Sequence, residues 1–173
     1  MHSVTGLWTV CGLESDVIYN AYIAVGSNLG DRRATIDQAI ETIRARRDIS
    51  LVQVSSMIET DPVGDIEQGR YLNGMIHIQT RMDARELLEH MMRVEQSLGR
   101  DRSVEQRWGP RTIDLDLIVF GDQIIDEPGL QVPHPRLHER SFVLAPLCEI
   151  AADIVVLVHN QTPRQMLEAL GGV

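Results

Sequence analysis

Cysteine is nearly absent: Cys11 and Cys148 are the only two in 173 residues, too few for a disulfide framework and without metal-ligand spacing. Two free thiols point to a reducing compartment. Long apolar runs are missing as well. No stretch approaches the ~20 apolar residues that a membrane-spanning helix needs. Neither lysine nor arginine precedes Arg32, and Gly6 and Gly12 break the only apolar stretch near the start, which argues against a secretory signal. The expected location is therefore cytoplasmic. Positive charge is in deficit, with 16 Lys+Arg against 25 Asp+Glu and a formal charge of -9. That balance argues against a nucleic-acid surface, which needs a basic stripe, and against an anionic membrane. Internal repeats, linkers and low-complexity segments are lacking too. What is present, 43% hydrophobic and 24% charged residues, predicts one ordinary globular domain long enough to bury a core.

The most informative stretch is Arg107-Trp108-Gly109-Pro110-Arg111-Thr112-Ile113-Asp114-Leu115-Asp116-Leu117-Ile118-Val119-Phe120-Gly121, an arginine-rich turn running into a strand. Side chains two apart on a strand share a face, so Asp114 and Asp116 are expected together, with Leu115, Leu117 and Val119 on the other side. Like charges held so close call for a cation between them. Magnesium, an oxygen-liganded ion that borrows much of its shell from water and substrate phosphates, answers that need. Arg107 and Arg111 add guanidinium forks suited to phosphate oxygens. A D-x-D pair alone is a common strand pattern; the flanking turn is what turns it into a candidate metal-polyphosphate site.

The rest of the chain supplies a scaffold. Residues 1–16 show no periodicity and read as a leader or poorly ordered extension, leaving 17–173 as the domain. Val17 to Val25 is β-branched and aromatic enough for a strand. Asp31 is a candidate N-cap for a helix with Ile36, Ile40 and Ile43 on one stripe. The Gly26-Ser27-Asn28-Leu29-Gly30 turn lacks the Gly-Lys-Ser/Thr ending of a P-loop and the third glycine of a dinucleotide fingerprint, so it reads as a strand-to-helix connection. A strand over Leu51–Met57, a long loop over 59–70, and a strand over Tyr71–Thr80 follow. The last places Leu72, Ile76 and Ile78 on one face and Tyr71, Asn73, Met75 and His77 on the other.

Asp83 and Glu86 form a capping-box pattern before a helix striped by Leu87, Met91, Val94 and Leu98 and closed by Gly99. Its methionines read as core. Residues 100–106 form a second loop. Beyond the aspartate strand come a short hairpin around Pro128-Gly129, a helix over about 139–151 interrupted at Pro146, a strand over Ile154–Val158, and a helix capped by Thr162-Pro163. The order strand, helix, strand, strand, helix, strand is the split βαβ, ferredoxin-like arrangement. The predicted class is α+β, with a mainly antiparallel sheet, both helices on one face, and C-terminal helical additions over part of the other.

The string R-W-G-P-R-T-I-D-L-D-L-I closely resembles the signature of the 6-hydroxymethyl-7,8-dihydropterin pyrophosphokinases of folate biosynthesis. Supporting segments are A-Y-I-A-V-G-S-N-L-G, S-S-x-x-x-T-x-P-V-G, Y-L-N, V-P-H-P-R and R-S-F, spread over about 17–170. The resemblance implies a magnesium-dependent diphosphotransferase that moves the pyrophosphoryl group of ATP to the hydroxymethyl oxygen of the pterin, releasing AMP. It implies two Mg2+ ions on Asp114 and Asp116, and a pterin held by Thr60, Val63, Tyr71, Asn73 and Phe142. It further implies ATP contacts from Glu95, Arg100, Arg102, Arg111, His134 and Arg140, with Arg100 and Arg111 also catalytic. On residue type alone, Tyr71 and Phe142 read as core aromatics, Asn73 as a strand-edge amide, Arg100 and Arg102 as helix C-terminal cations, and Glu95 as a surface charge. The chain departs from relatives in a loop one residue longer after Arg102, in Ser103 where a basic residue is common, and in Asp61 before Pro62.

The expected partners are ATP and the pterin, without nucleic acid or membrane, in a monomer or weak homodimer that associates with other folate enzymes. Two rival readings remain. A non-catalytic nucleotide or metabolite sensing module on the same fold predicts binding without turnover. A D-x-D nucleotidyl or glycosyl transferase predicts free pyrophosphate or a nucleoside diphosphate.

Overall fold

The computed structural model describes residues 17–62, 66–101 and 109–171. The predicted extension over 1–16 lies outside them, as do Val63, Arg102, Ser103, Arg107 and Trp108. Strands β1 (Tyr19–Ser27), β2 (Ile49–Val54), β3 (Ile58–Thr60), β4 (Tyr71–Thr80) and β5 (Asp114–Phe120) form one sheet in the order β2-β4-β1-β5, with β3 extending beside β4. Every pairing is antiparallel. Helices α1 (Arg32–Arg44) and α2 (Ala84–Ser97) complete the split βαβ order. Asp31 caps α1, and Asp83 with Glu86 closes a reciprocal capping box on α2, so both starts follow from the expected hydrogen-bond chemistry.

Both helices bury one face of the sheet. Ile36, Ile40 and Ile43 of α1 and Leu87, Met91 and Val94 of α2 pack with Ile23, Val25, Ile76, Ile78, Leu115 and Leu117 in a single core. Met91 has no exposed surface, in keeping with a methionine stripe that packs. The opposite face carries a second, smaller core in which Tyr22, Met75, Ile118 and Val119 meet α3 (Ser141–Ala151) and α4 (Pro163–Ala169) through Val143, Leu144, Leu147 and Met166. These helices cover only part of that face, and the remainder is the groove that holds the site.

Local readings are corrected at several points. β1 starts two residues later and ends two later than expected, at Ser27. The strand expected over 51–57 runs instead over 49–54 as β2, and Glu59 and Thr60 leave the predicted loop to form, with Ile58, the separate strand β3, pairing with Leu72 and Tyr71 of β4. Position by position, Leu115 and Leu117 do oppose the aspartates, but Val119 does not. The register shifts between Tyr22 and Ile23, so that Leu117 faces Ile23 while Val119 faces Tyr22. The extra residue, Ile118, inverts the alternation, as a bulge does, and moves Val119 to the second core. The helix α3 is preceded by a 3-10 turn over Leu137–Glu139 and runs through buried Pro146 without interruption, although proline cannot donate a backbone bond there. The expected strand over Ile154–Val158 is reduced to one bridge, Val156 to Gln161. The hairpin is present as β6 (Ile125–Glu127) and β7 (Leu130–Val132), turning at Pro128-Gly129. No helix among the described residues is long and apolar enough to cross a membrane.

Candidate active site

Three adjacent antiparallel strands deliver the key side chains. Gly26 of β1 lies opposite Asn73 of β4 on one side and Asp114 of β5 on the other. Asn73 also lies opposite Ile58 of β3, and Tyr71 opposite Thr60. A cavity of about 450 Å³ opens over these positions, lined by Thr60, Tyr71, Asn73, Arg111, Asp114, Asp116, His134, Arg140 and Phe142. Residues more than 80 positions apart in sequence thus converge on one groove, as the antiparallel register dictates.

At one end the cavity is amide and aromatic. Asn73 Nδ2 donates to Thr60 Oγ1 at 2.7 Å, and the Tyr71 hydroxyl bonds the Gly109 carbonyl oxygen at 3.2 Å. A β-carbon on Gly26 would come 2.7 Å from Asn73 Oδ1, so the glycine is what lets that amide lie flat on the strand. Gly26→Ala is expected to displace Asn73 and to lower stability by about 1–3 kcal/mol, the usual scale of overpacking. Denaturant unfolding of the variant checks it.

The other end is charged. Arg111 Nη1 donates to Asp114 Oδ2 at 2.9 Å, and Arg100 Nη1 to Asp114 Oδ1 at 2.5 Å. Burial works against the charge of Asp114, but Arg111 and Arg100 together outweigh it and hold the carboxyl below its usual range. Among the described residues Asp116 meets a single arginine, Arg140, whose Nη1 stands 3.6 Å from its Oδ2. Burial first, and Asp114 second, push its carboxyl up to about 6. Two neighbouring carboxylates are thereby driven in opposite directions.

His134 is lowered to about 4 by burial and by Arg140. Its Nδ1 accepts the Arg136 backbone N–H at 3.1 Å, which leaves the proton on Nε2 and makes the ring a neutral donor. Its own backbone N–H bonds the Ile118 carbonyl at 2.9 Å, so the V-P-H segment runs along the free edge of β5. Arg140 lies 5.8 Å over the Phe142 ring, within cation–π range.

Two predicted residues stand behind the cavity rather than in it. Glu95 is 1% exposed, not a surface charge. Its Oε1 accepts both Arg100 Nη1 at 2.5 Å and the Leu115 backbone N–H at 2.8 Å. The latter is an outward-facing donor on an edge strand, which must find a partner when buried. Arg100 is likewise buried, between Glu95 and Asp114.

Residues that the pattern alone did not single out also shape the site. Buried Asn28 accepts the Arg111 N–H at 2.7 Å and donates to Gln68 Oε1 and the Gly69 carbonyl at 2.9 and 3.2 Å. It clips the turn carrying Arg111 to the loop that leads into Tyr71. Arg136, Glu139 and Asp61 line the same cavity. In the sequence Arg136 is marked only as the last residue of V-P-H-P-R, and Asn28 lies in a turn whose flanking glycines signal backbone shape rather than a side-chain role.

Comparison with known proteins closes the question of family. The model of the family described as "7,8-dihydro-6-hydroxymethylpterin-pyrophosphokinase (HPPK)" matches residues 22–152. The chain belongs to the HPPK family. It is 47% identical over 134 residues to a Bacillus subtilis 2-amino-4-hydroxy-6-hydroxymethyldihydropteridine pyrophosphokinase, covering 78% of this chain and 79% of that one. The Methylorubrum extorquens protein of the same name is 42% identical over 151 residues, covering 87% and 92%. Among solved structures, a Plasmodium falciparum HPPK-DHPS superposes with a TM-score of 0.65 at 13% identity, a likeness of fold. That match covers 91% of this chain and 42% of the other, so the chain spans about two fifths of that longer protein. The HPPK match runs from β1 into the end of α3 and thus takes in the described cavity residues.

Proposed function

We propose that the chain is a pyrophosphokinase that moves the β,γ-pyrophosphoryl group of ATP to the hydroxymethyl oxygen of 6-hydroxymethyl-7,8-dihydropterin, giving the pterin diphosphate and AMP. Membership of the HPPK family and the names of the close relatives support that reaction. The single observation of the structure that carries it is one cavity with an amide-aromatic end beside a carboxylate-arginine end. A flat heterocycle with a fixed donor-acceptor edge suits Tyr71, Phe142 and the Asn73–Thr60 pair. A polyphosphate suits Arg111, Arg140 and the Nε2–H of His134. A second cavity of about 560 Å³ shares Asp116 and His134 and is walled by Leu88, Leu117 and the β6–β7 hairpin. It is the natural place for the adenosine, with the phosphates reaching back to the aspartates.

Asp114 and Asp116 fit magnesium. Among the described residues no group of three or more His, Cys, Asp or Glu side chains gathers around a common point, which is unlike an all-protein metal cage. Two carboxylates facing a phosphate pocket are what an ion completing its shell with water and phosphates requires. Bound there, magnesium would neutralise charge on the phosphates and align the donor. The protein's own part is positional: stacking fixes the ring, Asn73 and Thr60 fix its rotation, and the arginines hold the phosphate oxygens so that the hydroxymethyl oxygen meets the β-phosphorus in line. As that oxygen bonds to the β-phosphorus, the bond from the β-phosphorus to the bridging oxygen breaks, that oxygen leaves with AMP, and the hydroxyl proton passes to solvent water. Arg100 and Glu95 act through Asp114 by fixing its rotamer. Val63 and Arg102 would add pterin and ATP contacts from loops outside the described residues. A cytoplasmic enzyme associating with other folate enzymes fits this role.

Calorimetric titration of the protein with the pterin tests the ring site. Asn73→Ala should weaken pterin binding at least about tenfold, the cost of leaving polar edges unpaired, with ATP binding unchanged; equal affinity for both proteins would remove Asn73 from the site.

The acid limb of metal binding follows from the two aspartates. In the metal-free protein Asp116 carries a proton below about pH 6, and that proton must leave before an ion binds. Magnesium affinity should therefore fall about tenfold per pH unit below 6, with Asp116→Asn removing the dependence. The folded value lies above the ordinary 3.8, so the folded protein binds the extra proton between pH 4 and 6. This one carboxyl thus makes the metal-free protein less stable as pH rises through that window, whereas Asp114, shifted down, contributes stability that is lost only as pH falls below the ordinary aspartate range. Thermal unfolding from pH 4 to 8 with and without magnesium reads the Asp116 window, and its extension to pH 2 reads that of Asp114.

A further inference from the structure

Among the described residues the β6–β7 hairpin pairs only with itself, and a two-stranded ribbon is marginal on its own. Its base is anchored by Leu130 and Val132, which are 4% and 1% exposed in the main core. Its tip, residues 126–129, is exposed throughout. Yet this tip lines the second cavity, together with Leu88 of α2. A wall that can drift sets no spacing for a flat ligand.

Arg85 supplies the missing tie. Its Nη2 donates to Glu127 Oε2 at 2.9 Å and to the Pro128 carbonyl at 3.2 Å. The guanidinium also lies over the turn, with Nη1 4.0 Å from where a Gly129 β-carbon would stand. Gly129 takes a φ of 76°, which a glycine after Pro128 permits and which fixes the turn in this form. The neighbouring Glu86 carboxylate is occupied by the Asp83 N–H at 3.0 Å, leaving Arg85 to the hairpin. Arg85 and Leu88 are three residues apart on α2 and so share a face. One helix face thus provides both a residue of the cavity lining, Leu88, and the clamp that holds the hairpin part of that lining in place.

We infer that Arg85 is a positioning residue for the nucleoside: through Glu127 and the Pro128 carbonyl it fixes the width of the cavity that takes the adenosine of ATP. This rests on the placement of ATP given above. As an exposed ion pair alone it would matter little; its effect comes from holding a ligand wall.

The test compares the wild type with Arg85→Met, Glu127→Gln, and the exchanged pair Arg85→Glu with Glu127→Arg. ATP affinity is read by calorimetry, and KM for each substrate and kcat from AMP release. Arg85→Met should raise the ATP Kd and KM by about threefold to tenfold, the scale of one charge-assisted hydrogen bond. The pterin KM and kcat should stay within about twofold, and the exchanged pair should recover at least half of the loss. An ATP Kd within about twofold of wild type, or an equal change in the pterin KM, overturns the inference, as does a recovery that fails while both proteins remain folded by circular dichroism. Should the wild type release no AMP, the reaction assigned above is wrong, while the calorimetric ATP affinities still decide the role of Arg85.

Discussion

Asp116→Asn should lower kcat at least about 100-fold, the scale of removing a key electrostatic contact at the reacting phosphate, with pterin binding unchanged. The substitution keeps shape and removes charge. Among the described residues the arginine paired with Asp116 is Arg140, at 3.6 Å, and burial and Asp114 push its carboxyl up to about 6. Asparagine removes that buried charge, so the folded protein should be no less stable at pH 7 while its magnesium affinity collapses. Loss of activity together with retained or improved stability is the signature; turnover within about threefold of wild type would remove Asp116 from the chemistry.

Arg100→Met should instead cost stability, by about 3–5 kcal/mol in denaturant unfolding, the usual penalty for removing one partner of a buried ion pair. Arg100 bridges Glu95 and Asp114, with side-chain exposures of 4%, 1% and 23%. Without it, the buried Glu95 carboxylate, which also accepts the Leu115 N–H, loses the counter-charge of Arg100, and Asp114 loses the Arg100 guanidinium while keeping that of Arg111. Glu95→Gln with Arg100→Met should restore part of the loss by removing the stranded charge. A single variant as stable as wild type would mean that the buried trio contributes nothing to the fold.

These two variants separate a site's chemistry from its support, and the sequence made only the first legible. Asp114 and Asp116 could be placed on one face from spacing alone, because strand alternation is strict over two residues. Val119 could not, because a bulge at Ile118 resets the alternation and nothing in a run of Leu, Ile and Val marks where it falls. Glu95 read as a surface charge since its helix position is polar by pattern; its burial follows from the edge of β5, whose Leu115 N–H needs an acceptor, and edge identity is a property of sheet order. Asn28 ties two loops that are 40 and 83 residues away, a relation no local signal carries. The helix caps at Asp31 and Asp83 and the apolar stripes were readable because those interactions are local. Strand β3 was missed for the converse reason: three residues beside Pro62 show no period of their own, and their pairing with β4 defines them.

Product analysis after mixing the protein with ATP, magnesium and 6-hydroxymethyl-7,8-dihydropterin tests the reaction itself most directly. AMP and the pterin diphosphate should form together, in equal amounts, only when all three components are present. ADP, free pyrophosphate, or AMP released without the pterin would contradict pyrophosphoryl transfer.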